Sequence, residues 1–262
     1  SEVQESVYYD KTVEQFNARM VLSWKLLLTN KEAALTEEQI AMHFASINEY
    51  SAKIEREPNN PDNYFGRAID FMLVQDFAEA IRNFDKVIEL DPSYTLAYFN
   101  RASVRYKQME YNQSQGYTDE QASMRTINFQ LGSSKAPVMN ENPVNDLPQS
   151  RLKEEAKGYE HELIIRDYDF VIRQAPGFIY SYYNRGNLRC AQRDFRAAIA
   201  EYNEAILRDP EFAEAYFNRG LARLSQGDAT HGIADLSKAG ELGLPSAYSI
   251  IRRMTEESKS NE

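Results

Sequence analysis

Apolar side chains recur along this chain with the period of a helix that buries one face. After Arg193 they fall at Ala198, Ile199, Tyr202, Ala205 and Ile206, which is the i, i+1, i+4, i+7, i+8 stripe of a single amphipathic helix. The stretch before it, residues 180–192, carries small and aromatic residues at the same spacing, and Arg193-Asp194 makes a short turn between the two. Asp209-Pro210 ends the second stretch, because proline disfavours helix at the residue before it and cannot continue the hydrogen-bond ladder. Residues 179–210 therefore predict a helical hairpin.

That hairpin repeats. Tyr64-Phe65-Gly66-Arg67-Ala68, Tyr98-Phe99-Asn100-Arg101-Ala102, Tyr182-Tyr183-Asn184-Arg185-Gly186 and Tyr216-Phe217-Asn218-Arg219-Gly220 begin 34, 84 and 34 residues apart. Pro58, Pro92, Pro176 and Pro210 keep the same three spacings, and 84 is one 34-residue period plus 50. Two markers in one register define a repeat array rather than an ordinary globular domain.

With Pro61, Thr95, Ile179 and Ala213 as position 1, position 8 is Ala68, Ala102, Gly186 and Gly220, and position 20 is Ala80, Ile164, Ala198 and Gly232. Position 24 is Phe84, Tyr168, Tyr202 and Leu236; position 27 is Val87, Val171, Ala205 and Ala239; position 32 is Pro92, Pro176, Pro210 and Leu244. This pattern resembles the tetratricopeptide repeat (TPR), with the closing run Asp235-Leu236-Ser237-Lys238-Ala239-Gly240-Glu241-Leu242-Gly243 similar to that of many bacterial members. The resemblance implies an all-α, right-handed α-solenoid of helical hairpins, and a protein-binding scaffold rather than an enzyme.

The expected organisation is an N-terminal hairpin over 1–58, four repeat units over 59–244 (61–94, 95–178, 179–212 and 213–244), and a C-terminal capping helix and tail over 245–262. The second unit is split by an insertion at about 112–157, rich in Asn, Gln, Ser and Glu, with a helix expected near 119–129 and irregular chain near 132–148. The N-terminal hairpin pairs a helix over 40–54, in repeat register through Ile47, Tyr50, Ile54 and Pro58, with a longer helix over 11–28 that holds the only tryptophan, Trp24. It is either a degenerate repeat or a cap.

Arginine occupies position 7 in all four units, at Arg67, Arg101, Arg185 and Arg219, and position 11 in three, at Arg105, Arg189 and Arg223. Position 23 is acidic, at Asp167, Glu201 and Asp235, only where position 11 is arginine; where position 11 is Phe71 it is Asn83. The covariation predicts structural ion pairs Arg105–Asp167, Arg189–Glu201 and Arg223–Asp235 between the two helices of each hairpin.

In the resembled family the first helices line a concave surface. Here that face would carry Phe65, Ile69, Phe99, Ser103, Tyr106, Tyr180, Tyr183, Asn187 and Phe217, flanked by Asn100, Asn184 and Asn218 at position 6. An aromatic ridge beside amides predicts a groove for a peptide or helix of a partner protein. The same rings could instead pack between repeats, and their exposure decides between the two. The family's carboxylate clamp for chaperone tails needs lysine at position 5 and a basic residue at position 2. Those positions hold Phe65, Phe99, Tyr183 and Phe217, and Asp62, Leu96, Tyr180 and Glu214, so no clamp is expected.

Charge and composition remove other functions. A net charge of −10 and a pI near 5.0 argue against nucleic acid and anionic membrane as partners. Cys190 is the only cysteine, and His43, His161 and His231 are far apart, so no metal site and no cofactor are expected. His161-Glu162 lacks the second histidine of a zinc-protease helix, and neither a phosphate loop nor a nucleophile elbow is present. The most apolar early stretch, 20–28, is broken by Ser23 and Lys25, so a soluble chain without anchor or signal is expected, in a compartment the sequence leaves open. The alternatives are a self-associating segment of a longer solenoid and a non-catalytic accessory domain of an enzyme.

Overall fold

A computed structural model describes residues 35–114 and 149–252. The expected helices over 11–28 and 119–129, the irregular chain near 132–148 and the polar tail lie outside them. The described residues form α1 (Glu37–Arg56), α2 (Pro61–Leu73), α3 (Phe77–Leu90), α4 (Thr95–Ser114), α5 (Gln149–Gln174), α6 (Ile179–Ala191), α7 (Phe195–Arg208), α8 (Ala213–Ser225), α9 (Ala229–Glu241) and α10, residues 246–252. The fold class is an all-α TPR solenoid. The chain divides into two compact units, one ending at Asn83 and the other beginning at Phe84.

In the first unit α1 packs on α2. Thr36 opens α1 with a capping box closed by Gln39, and Asn60 caps α2 ahead of Pro61 at its first turn. Among its described residues, Ile47, Phe65, Ala68, Met72 and Ala80 are the buried apolar side chains. Gly66 stands where the other repeats have asparagine, and the reason is Tyr50: a Cβ at Gly66 would lie 2.2 Å from its ring.

In the second unit the hairpins α4–α5, α6–α7 and α8–α9 stack in chain order, and α10 closes the last one. Position 24 fills each hairpin, with Tyr168, Tyr202 and Leu236 at 1% exposure or less. Small residues at position 8 make room: a Cβ on Gly186 would lie 2.6 Å from the Tyr202 ring, and one on Gly220 would lie 2.9 Å from the Gly232 carbonyl. Such close packing explains why glycine and alanine recur at those sites.

The turn between paired helices has its own rule. Position 15 takes a left-handed backbone at Gln75 (φ 63°), Arg193 (φ 62°) and Gly227 (φ 85°). The acid that follows then caps the second helix, with Asp76 accepting from the Glu79 amide, Asp194 from Ala197 and Asp228 from His231. The split unit departs here. Its position 15 is Met109, inside α4, which runs on to Ser114. Its partner α5 begins at Gln149, well before the expected second helix, because Arg151-Leu152-Lys153-Glu154-Glu155-Ala156-Lys157 is made of strong helix formers. The two helices still pack as a hairpin with residues 115–148 between them in the chain.

The tyrosine and proline markers of the sequence are two ends of one hydrogen bond. Tyr64, Tyr98 and Tyr182 donate to the carbonyls of Pro58, Pro92 and Pro176 at 3.0, 3.0 and 3.1 Å. Each bond ties the start of a first helix to the connection just before it.

Candidate peptide-binding groove

The site was expected as an aromatic ridge, and the structure corrects that. Phe65, Phe99 and Tyr183 are 4%, 0% and 4% exposed, and Phe217 is half-buried. Phe99 meets Phe178 edge-on at 4.8 Å and Tyr168 at 5.9 Å, and Tyr183 meets Phe212 at 4.9 Å and Tyr202 at 5.9 Å. Position 5 therefore packs on positions 24 and 34 of its own repeat. Burial of so large a ring is worth more to the fold than its position on the first-helix face would suggest. The sequence did hold a signal: Tyr94, Phe178 and Phe212 at position 34 keep the spacings 84 and 34.

What the second unit places along the first-helix face is a hydrogen-bonded polar strip. Ser103 Oγ and the Tyr168 hydroxyl share a bond at 3.0 Å, and Asn184 Nδ2 donates to Ser103 Oγ at 3.4 Å. One repeat on, the Tyr202 hydroxyl donates to Asn187 Oδ1 at 2.8 Å and lies 3.4 Å from Cys190 Sγ. Asn218 Nδ2 donates to both Asn187 Oδ1 and the Tyr183 hydroxyl at 2.8 Å. Position 6 of one repeat thus bonds to position 9 of the repeat before it, and the position-24 tyrosine bonds to position 9 from beneath.

Burial raises the hydroxyl pKa of Tyr106, Tyr168, Tyr183 and Tyr202, so all four stay protonated at neutral pH. It also raises the Cys190 thiol. Ser103 is buried, whereas Tyr106, Tyr180, Asn184, Asn187 and Asn218 are half-buried. Asn100 is 1% exposed and turns its amide back to the Leu96 carbonyl at 2.8 Å, so it does not face the groove. Phe65 and Ile69 belong to the first unit.

The ion pairs also need correction. Position 7, not position 11, carries most of them. Arg101 holds both oxygens of Asp167, Nε to Oδ2 at 2.8 Å and Nη2 to Oδ1 at 2.6 Å; Arg219 holds Asp235 at 2.9 and 2.7 Å; Arg185 meets Glu201 at 2.8 Å; and Arg67 meets Asn83 at 2.8 Å. Each reaches a second partner on the helix just before its own hairpin: Arg67 to Ser51 at 3.1 Å, Arg101 to Asp85 at 2.7 Å, Arg185 to Asp169, and Arg219 to Asn203 at 2.7 Å. The expected position-11 partners are uneven. Arg223 reaches Asp235 at 2.8 Å and Arg105 lies 3.9 Å from Asp167, but Arg189 turns to Gln192 at 3.4 Å because Arg185 already occupies Glu201. Each position-7 guanidinium also lies over the position-4 ring of its own repeat, at 5.2–6.0 Å.

A second polar cluster in the first unit gives no catalytic arrangement. His43 Nδ1 lies 2.9 Å from Asp70 Oδ1, and Ser46 Oγ donates to Asp70 Oδ2 at 2.6 Å. Serine and histidine both address the carboxylate, so the imidazole is not placed to take the serine proton. No cluster of His, Cys, Asp and Glu among the described residues could hold a metal ion, and no described helix is long and apolar enough to cross a membrane.

Hairpins of this length, stacked through small residues and linked by position-7 arginines, define a helical-repeat scaffold. The fold is that of a tetratricopeptide-repeat protein, and residues 186–227 match the TPR repeat family model. The chain is 36% identical over 61 residues to a heat shock protein sti1 homolog of Schizosaccharomyces pombe, covering 23% of this chain and 10% of that protein. It is 29% identical over 120 residues to Hsp70-Hsp90 organizing protein 2 of Arabidopsis thaliana, covering 44% of this chain and 21% of the relative. It thus spans only a tenth to a fifth of these relatives. The solved structure of MamA matches with a TM-score of 0.53 at 18% identity, over 77% of this chain and 83% of that one, a likeness of fold alone. Fold and relatives together place the chain among protein–protein interaction scaffolds.

Proposed function

We propose that the second unit holds an extended segment of a partner protein along the faces of α4, α6 and α8. The observation that carries this reading is the polar strip of Ser103, Asn184, Asn187 and Asn218, which is cross-bonded from repeat to repeat. Its amides are fixed before any ligand arrives, and pre-organised polar groups lower the entropy cost of binding. Half-buried Tyr180, edge-on to Phe178 at 5.4 Å and to Phe212 at 5.7 Å, supplies a rigid apolar wall beside the strip. The buried rings at position 5 hold the strip in place rather than touching the ligand. In this reading the chain performs no chemistry of its own and binds no nucleic acid.

The ligand is not a carboxylate-clamped chaperone tail. Phe99 and Tyr183 are buried where the clamp needs lysine, and Leu96, Tyr180 and Glu214 stand at its basic position. A photo-crosslinking residue at Tyr180 tests the groove against one at Leu207, which is 75% exposed on the second helix α7. Adducts with partner protein from position 180 and not from 207 are expected. Equal yields from both positions would refute the groove.

A further inference from the structure

The asparagine amides of the groove face one way. Asn218 uses Nδ2 on Tyr183 and Asn187, and Asn184 directs Nδ2 at Ser103. Each N–H end is therefore turned into the wall, and each carbonyl end is turned away from it. Among the described residues the bonds that fix the two amides run through Nδ2, and neither uses Oδ1; both residues are half-buried. The two residues hold the same position in consecutive repeats, so the groove presents a row of acceptors.

The charges beside that row are mainly acidic, with Lys107 the cation paired to one of them. Glu214 stands in the first turn of α8; behind burial, Asp209 and then Glu214 act on Tyr180, and Glu214 also acts on Tyr183. Glu110 hydrogen-bonds to Tyr106 at the other side, and Lys107 approaches it only to 3.7 Å. Arg101, Arg185 and Arg219 are committed to carboxylates within the repeat stack. A carboxylate entering this groove would meet acceptors and like charge, and a desolvated acceptor facing another acceptor costs free energy with nothing in return.

We propose that the groove of the second unit takes a basic, donor-rich extended peptide, whose backbone N–H groups meet Asn184 Oδ1 and Asn218 Oδ1 and whose lysine or arginine side chains face Glu214 and Glu110. This rests on the groove reading above and assigns its ligand chemistry. The polarity is opposite to that of a groove built for an acidic C-terminus.

Fluorescence anisotropy with the full chain tests it, using three labelled peptides of equal length: Gly-Arg-Ser-Lys repeats, Gly-Glu-Ser-Asp repeats with a free carboxylate, and Gly-Asn-Ser-Gln repeats. The basic peptide is expected to bind about tenfold or more tightly than the acidic one, with affinity falling as salt rises. Glu214→Lys should weaken it about fivefold or more with circular-dichroism melting curves unchanged, and Glu110→Gln, which can still accept from Tyr106, should weaken it about twofold or more. Acidic binding as tight as basic overturns the proposal, and so does basic binding that ignores both substitutions. If the neutral peptide binds and is lost in Asn184→Ala/Asn218→Ala without any charge preference, the groove stands and its basic ligand falls. If no peptide responds to the asparagine pair, both fall.

Discussion

Arg101→Ala removes the group that holds Asp167. That carboxylate is 4% exposed and accepts from Arg101 at both oxygens, while the nearest other cation, Arg105, stands 3.9 Å away. Breaking a buried pair by deleting one partner costs about 3–5 kcal/mol, because the remaining charge stays desolvated. The bond to Asp85, 37% exposed, contributes at most about 1 kcal/mol. Arg105 can move toward the vacated carboxylate and recover part of the loss, so about 3 kcal/mol is expected for Arg101→Ala. Arg105→Ala, which leaves the bidentate pair intact, should cost under about 1 kcal/mol. Urea denaturation of both variants, followed by far-ultraviolet circular dichroism and by tyrosine fluorescence, checks the difference. Probes that fail to coincide call for a repeat-by-repeat fit, since arrays can lose two-state behaviour. If Arg105→Ala destabilises as much as Arg101→Ala, position 11 carries the pair and the assignment to position 7 is wrong.

Gly186→Ala should destabilise by about 1–3 kcal/mol, because the new Cβ lands 2.6 Å from the buried Tyr202 ring; a variant with an unchanged urea midpoint contradicts this packing. Phe99→Ala should cost about 3–5 kcal/mol, as the wholly buried ring leaves a cavity, and a stable variant that has lost only partner binding would restore the exposed ridge. Burial raises the Cys190 thiol, so less thiolate exists at a given pH than in a free cysteine; alkylation by iodoacetamide at pH 8 should be slower than in a short peptide and its pH midpoint higher. A peptide-like rate would show that the thiol is not desolvated.

The fold was legible because its markers are bonds. Tyr64, Tyr98 and Tyr182 keep register with Pro58, Pro92 and Pro176 since each pair shares a hydrogen bond, and Gly186 follows the bulk of Tyr202. The arginine assignment found Arg105–Asp167 and Arg223–Asp235 but missed the position-7 bonds, for a definable reason. Arg67, Arg101, Arg185 and Arg219 never vary, so the acid at position 23 showed covariation only with position 11. Geometry gives Asp167 and Glu201 to position 7, and lets Asp235 serve both Arg219 and Arg223. Helical spacing placed Phe99 and Tyr183 on the first-helix face, but spacing carries no information on which way a ring tilts; Phe178 and Phe212 drew them inward. The direction of the Asn184 and Asn218 amides was equally invisible, because it is set by Ser103, Tyr183 and Asn187 from the neighbouring repeat.

Side-chain amide signals report directly on whether the asparagine strip meets the ligand. In a chain labelled with nitrogen-15 at asparagine, titration with the Gly-Arg-Ser-Lys peptide should shift the amide resonances of Asn184 and Asn218, and of Asn187 between them. Asn203, held by Arg219 on the second helix α7, should stay in place. Saturable binding that moves Asn203 and leaves Asn184 and Asn218 untouched would put the ligand elsewhere on the scaffold.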